Sequence, residues 1–251
     1  MFVGTAILLG GSSPGNADEA KTIRITNGEW APYLGEKLSE YGIVSQVITE
    51  AFASSGIKVQ YGFFPWPRAI GIAQEGEWDA AAVWLKSPER EAEFYISNPV
   101  IESEWVFFHL KSYPFTWKIL DDLKGIKIGG TQSYAYGQEF LDANKSGKIK
   151  ILWARSDEIN YRLLLNGTIA IFPNDRIVGY EMISRLFTPK EAELIINDPK
   201  PLRVDPLYLL FSKKVPKNEE TVSIFNAGLA KLKKSGRYNQ IIQQGLKAKR
   251  P

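Results

Sequence analysis

The run Ser87-Pro-Glu-Arg90 ends in a guanidinium, four residues after the ammonium of Lys86 and just beyond the indole of Trp84. A guanidinium is a planar fork of donors that keeps its charge and matches a carboxylate. Spacing alone also allows a plain surface arginine paired with Glu89, Glu91 or Glu93. Asp175 directly precedes the run Arg176 to Leu186. There it can cap a helix, present a carboxylate, or do both. Gly130-Thr-Gln-Ser-Tyr-Ala-Tyr136, with Ser133 and Tyr134 at its centre, stands at an expected helix start. Backbone N–H groups at such a start can hold an anion. Trp30, in Asn27-Gly-Glu-Trp-Ala-Pro-Tyr33, and Trp66 offer flat faces for cations or apolar groups. Core packing is the competing use of each indole.

Other chemistry is sparse. The 251 residues contain no cysteine and one histidine, His109. Disulfides, thiolate metal sites and cysteine nucleophiles are thereby excluded, as are His-pair metal sites. A Ser–His–Asp arrangement has little to draw on. The charge of +3, from 31 bases against 28 acids, argues against a nucleic-acid partner, which needs clustered charge. No cofactor, no metal and no catalytic residue is expected.

The elements that must position these residues alternate. Thr22 to Thr26 reads as a strand, and Ile43 to Phe52 as a helix stopped by Gly56. Lys58 to Phe64 is a strand, Pro67 to Gln74 a helix, and Asp79 to Trp84 a small, apolar strand. Trp105 to His109 leaves this unit as a strand, and Tyr113–Pro114 breaks it. A second series follows: strand Lys127 to Gly129, helix Tyr134 to Leu141, strand Ile149 to Trp153, helix Glu158 to Leu165, strand Ile169 to Phe172, helix Arg176 to Leu186. Leu207 to Phe211 returns as a strand after the proline-rich stretch Pro199 to Pro206. A final helix starts at Asn218, read as its cap, and stops at Gly236. Alternation of this kind implies mostly parallel sheets covered by helices. Two such units with two crossovers imply a hinge and a cleft.

Phe2 to Gly10 is apolar but too short to cross a bilayer. It suits the core of a secretory signal over residues 1–17, with Gly15-Asn16-Ala17 as the cleavage site, although no base precedes Lys21.

Several motifs together resemble a known family. Gly76-Glu-Trp-Asp-Ala80, Ser87-Pro-Glu-Arg90 and Phe94-Tyr-Ile-Ser-Asn-Pro99 are similar to its G-x-x-D-A, T-P-E-R and F-S-x-P-Y segments. Leu120-Asp-Asp-Leu-Lys-Gly125 resembles its entry into the second lobe, and Gly167 to Asp175 its G-x-x-D-A-x-x-x-D segment, with Ala170 in place of an aspartate. Leu232-Lys-Lys-Ser-Gly-Arg-Tyr238 resembles its closing helix pair. The family is the type II periplasmic solute-binding proteins of family 3, which serve polar amino acid ABC transporters. The resemblance spans about Lys21 to Leu246.

It implies an α/β chain of two lobes: residues 18–109 with 211–251, and residues 110–210, joined by two crossover strands. It implies capture of a small amphoteric, amino-acid-like solute by hinge closure, and delivery to an ABC transporter permease. The protein would be a periplasmic monomer, secreted and not lipid-anchored. Arg90 would hold the ligand carboxylate, Asp175 the ammonium, and Trp30 and Trp66 the ligand body. Departures from the pattern bring Trp84, Lys86, Ser133 and Tyr134 to the cleft. Lys86 beside Arg90 and the added aromatics also suit a dicarboxylate, an aromatic or cyclic amino acid, or another amphoteric solute. An enzyme on the same fold, using Glu29, Glu102 or Glu104, and a sensory module for a membrane receptor are the alternatives.

Overall fold

The computed structural model describes residues 21–247. The expected signal and its cleavage site lie outside these residues. Strand β1 (Thr22–Asn27) pairs in parallel with β2 (Lys58–Phe63) and β3 (Ala80–Trp84). Helices α1 (Ile43–Ala53) and α2 (Trp66–Gln74) make the crossovers, as the alternation required. A short helix α3 (Pro88–Glu93) and strand β4 (Phe94–Ile96) follow. Long strand β5 (Ile101–Leu110) leads to β6 (Ile128–Thr131), α4 (Gln138–Lys145), β7 (Ile151–Ala154), α5 (Asp157–Leu165), β8 (Ile171–Asp175) and α6 (Arg176–Leu186). Then come a one-turn helix α7 (Pro189–Ala192), strand β9 (Ile195–Ser212), and helices α8 (Asn218–Ser235) and α9 (Arg237–Lys247).

Across the described sheet the strand order is β2-β1-β3-β9-β5-β8-β6-β7, with β4 on β9. Strand β9 belongs to both halves. Its carboxyl end pairs antiparallel with β3 and β4, and its amino-terminal stretch pairs with β5. The first half thus holds β1 to β4, and the second half holds β6, β7 and β8.

Small residues explain the centre of the first half. In β3, Ala80 and Ala82 face one core, with Phe52, Phe211 and Phe225, while Ala81 faces the other, with Ala73 and Phe94. A strand covered on both faces has room for little more. Helix α8 lies so close on α1 that a Cβ at Gly228 would come 2.0 Å from the Ala51 carbonyl oxygen. That approach lets the Phe225 side chain bury fully, worth about 2–3 kcal/mol. No helix among the described residues is long and apolar enough to cross a membrane.

Several elements differ from the sequence expectation. The return strand is not Leu207 to Phe211 but the whole of Ile195–Ser212, prolines included. Over its first stretch β9 has β5 as its only partner strand among the described residues, so missing N–H groups can face the other edge. The register also slips between Val106 and Phe108, where Pro201 and Asn197 are the partners. Helix α4 begins at Gln138 rather than Tyr134, because the Tyr136 hydroxyl accepts the Thr131 N–H at 2.7 Å and holds that stretch as a loop. Asn218 does not cap α8. Lys217 occupies that position, and the Asn218 amide donates to the carbonyls of Asp79 (2.7 Å) and Ser212 (2.9 Å).

Candidate functional site

Arg90 lies on α3, whose amino end is capped by the Ser87 hydroxyl accepting the Arg90 N–H at 3.3 Å. Pro88 suits the first helical turn. The guanidinium is half-buried. Its Nη1 donates to the Leu85 carbonyl at 2.5 Å, and its carbon sits 4.9 Å from the centre of the Trp84 ring. Among the described residues no carboxylate forms an ion pair with it. Glu91 pairs instead with Lys86 at 2.7 Å, which raises the Lys86 pKa. Burial lowers the Arg90 pKa, and the charge of Glu89 acts against that through space.

Trp84 connects Arg90 to Trp66. The two indoles meet edge to face at 5.4 Å. Trp66 in turn lies over Gly28, where a Cβ would come 2.4 Å from the ring. Trp84, Trp66 and Gly28 therefore form one continuous wall ending at the guanidinium. The indole N–H of Trp84 is buried without an acceptor among the described residues.

Asp175 ends β8 and caps α6. It is 1% exposed. Its Oδ1 accepts the N–H groups of Ile177 and Val178, both at 2.9 Å. Its Oδ2 accepts the Ser103 hydroxyl at 2.6 Å, and the Tyr33 hydroxyl reaches both oxygens at 3.2 and 3.3 Å. Burial raises the Asp175 pKa against the pull of these donors. Burial and the adjacent carboxylate raise that of Tyr33 well above the ordinary phenol value. Trp30 packs on Tyr33 with ring centroids 4.6 Å apart, so Trp30, Tyr33 and Asp175 form a second cluster, spanning the two halves.

The loop after β6 supplies a third cluster. Ser133 is exposed, with a left-handed backbone (φ 67°). The Tyr134 ring packs edge-on against Trp105 at 5.9 Å, and its hydroxyl donates to Asp157 at 2.9 Å. Thr131 (2.5 Å) and Asn174 (3.2 Å) also donate to Asp157. Asp157 is buried, and burial raises its pKa.

The structure thus joins Arg90, Trp84, Trp66 and Lys86 in one half, Trp30 and Asp175 between the halves, and Tyr134 beside Ser133 in the other half. Of the three glutamates considered as acids, Glu104 pairs with Arg176 at 2.6 Å, and Glu29 accepts the Glu36 N–H at 3.1 Å. Glu102 lies in a separate groove of about 350 Å³ with Ile101, Ile177, Lys233, Tyr238 and Ile242. None of the eight site residues named from sequence lines that groove.

Sequence reasoning did not single out Tyr33, Ser103 and Asp157. Ser103 had a local signal, since it alternates with exposed Glu102 on β5. Asp157, in the first turn after Ser156, reads as an ordinary helix-start acid.

A sheet in two halves that share a strand, with charged side chains at the ends of its strands, defines the class: a periplasmic-binding-protein fold of type II. Residues 25–247 match the bacterial extracellular solute-binding proteins, family 3, and the chain belongs to that family. Solved structures agree in fold. Substrate-binding domain 2 of GlnP from Lactococcus lactis, in an open conformation, superposes with a TM-score of 0.72 at 21% identity, covering 95% of this chain and 99% of that one. The second substrate-binding domain assigned to an amino acid ABC transporter of Streptococcus pneumoniae gives 0.71 at 23% identity, covering 90% and 100%. A histidine kinase sensor domain similar to periplasmic binding proteins gives 0.69 at 18% identity, covering 91% and 97%. No curated protein matches the chain.

Proposed function

We propose that this chain captures a small, carboxylate-bearing, amino-acid-like solute between its two halves and hands it to an ABC transporter permease. It acts as a monomer outside the cytoplasmic membrane, in the periplasm. The lobes are residues 18–109 with 211–251, and residues 110–210. One observation carries this reading: Arg90 is a half-buried guanidinium stacked on Trp84 without a carboxylate partner among the described residues. A charge placed so is strongly attracted to an incoming anion.

The solute docks on Arg90, with Lys86 adding positive charge beside it and Trp84 and Trp66 giving the ligand a flat wall. The second half then brings the Gly130–Tyr136 loop, with Ser133 and Tyr134, over the solute. Trp30 closes the side next to Asp175. Closure follows only from contacts that are better in the closed form. A binding role rather than an enzymatic one fits the glutamates, because Glu29 and Glu104 are already engaged.

The test is a thermal-shift screen of protein refolded free of ligand, run beside native mass spectrometry of the protein as purified. Saturation at a hundredfold over Kd raises stability by about 2.7 kcal/mol. The expected result is a stabilising solute that carries an acid group. A broad solute panel without any shift, together with a closed crystal form whose cleft is filled by side chains, would end this reading.

A further inference from the structure

We propose that the end of the second half away from Asp175 is a docking surface for an anionic lipid bilayer. The role of Arg90 does not enter this inference. The topology gathers one end of five strands there. Strands β6, β7 and β8 run in parallel, and β5 runs against both β8 and β9. The carboxyl end of β5 therefore lies at the same pole as the starts of β6, β7, β8 and β9. Thr131 and Asp175 close β6 and β8 at the opposite pole. Lys111, Lys127 and Lys150 directly flank β5, β6 and β7 at this end. Segments 111–127, 145–150 and 190–200, which meet there, hold nine lysines against five acids, a net +4, while the whole chain carries +3. The rest of the chain is thus net −1, and the positive charge is concentrated at this pole.

Lys111, Lys118, Lys124, Lys127, Lys145 and Lys150 are exposed and form no ion pair among the described residues. Large apolar side chains stand among them. Ile119 is 60% exposed, Leu194 48% and Tyr113 36%. The Lys111 N–H donates to the Leu194 carbonyl at 2.8 Å, which sets that leucine beside the lysine. The Lys118–Ile119 turn is held by Asp122, whose Oδ2 accepts the two N–H groups at 2.7 and 3.0 Å. The Lys200 ammonium reaches the Lys118 carbonyl and lies 4.4 Å from the centre of the Trp117 ring. Exposed lysines alone make an ordinary solvated face. Lysines with apolar groups protruding among them match a surface that is negative outside and hydrocarbon beneath. A tyrosine suits the headgroup level between the two. Seated in this way, the second half keeps the opposite ends of β6 and β8, with Tyr134 and Asp175, clear of the bilayer.

The test is flotation of the full chain with vesicles of phosphatidylcholine alone, or with about one-third phosphatidylglycerol. The protein should float only with the anionic vesicles, and raising salt from about 0.05 M to about 0.5 M should release it. Lys127→Glu combined with Lys150→Glu should weaken binding at least about tenfold, whereas Lys231→Glu combined with Lys234→Glu on α8, an equal change of charge, should weaken it less than about twofold. The sequence has no cysteine, so one dye can be placed at a chosen position. Ile119→Cys carrying an environment-sensitive dye should shift to the blue on anionic vesicles, and Lys231→Cys with the same dye should not. This arm decides the matter even if a charge-reversed variant fails to fold. Equal flotation with neutral vesicles, equal losses in the two charge-reversed pairs, or an unshifted dye at position 119 overturns the proposal. Binding to soluble poly-L-glutamate without flotation overturns it as well, and assigns this pole to an acidic protein instead.

Discussion

Two of the charged residues picked out by sequence, Arg90 and Asp175, have opposite surroundings. Arg90 sits on a short helix in the first half, on an indole face, with no carboxylate ion-paired to it among the described residues. Asp175 sits at the base of a longer helix in the second half, sealed by four donors and 1% exposed. Under the proposed function the first is a charge kept available for the solute, while the second already has its donors within the protein. Burial shifts both pKa values, lowering Arg90 and raising Asp175, so the two differ in their partners rather than in the presence of a shift.

Four perturbations sharpen that contrast, the largest first. Asp175→Ala removes the α6 cap and leaves the Ser103 and Tyr33 hydroxyls buried without an acceptor. It should lower stability by about 2–4 kcal/mol in urea unfolding. A loss below about 0.5 kcal/mol would mean that these bonds do not hold the halves. Gly28→Ala pushes a methyl into Trp66. Overpacking of this kind costs about 1–3 kcal/mol, and near-ultraviolet circular dichroism should report the displaced indoles. An unchanged spectrum would break the proposed continuity of the wall.

Tyr33→Phe deletes one bond to Asp175 while keeping the ring against Trp30. About 0.5–1.5 kcal/mol should be lost, and small-angle scattering of ligand-free protein should move toward a more open form. No change in scattering would count against Tyr33 as a tie between the halves.

The smallest effect is a slope with pH. Burial raises the Asp157 and Asp175 pKa values above the ordinary 3.8. Between that value and the folded values, the folded chain binds more protons than the unfolded chain. Their contribution is therefore fully favourable below about 3.8 and is lost as pH rises through the folded values. Asp157→Asn removes one such group. The difference in Tm, wild type minus variant, should fall as pH rises from acid toward neutral. A difference that rises instead would reverse the assignment.

Much of the frame was legible in the sequence because it rests on local rules. The β-branched run before Asn27, the small residues of β3 and the left-handed Gly236 after α8 each announce their element. Helix α6 runs from Arg176 to Leu186 as the spacing required. Length and starting point were harder where tertiary partners decide. Prolines mark a break locally, yet β9 runs through three of them because β5 is its only partner strand there among the described residues. The late start of α4 follows from one hydroxyl folded back onto Thr131.

The site divides in the same way. Arg90 and its Ser87 cap are neighbours in sequence, so one short motif places them side by side. The state of Asp175 depends on Ser103 and Tyr33, which are 72 and 142 residues away. No periodicity carries that information, and sequence alone left Asp175 equally suited to capping and to meeting a ligand.

The most direct test titrates three proteins with the solute retained on purification: wild type, Arg90→Ala and Asp175→Asn. The account predicts that Arg90→Ala weakens binding by about 2–5 kcal/mol, at least roughly thirtyfold. Asp175→Asn, still able to accept the helix N–H groups through its amide oxygen, should change affinity less than about threefold while lowering Tm. A comparable loss of affinity in both variants, or a loss under about twofold in Arg90→Ala, would contradict it.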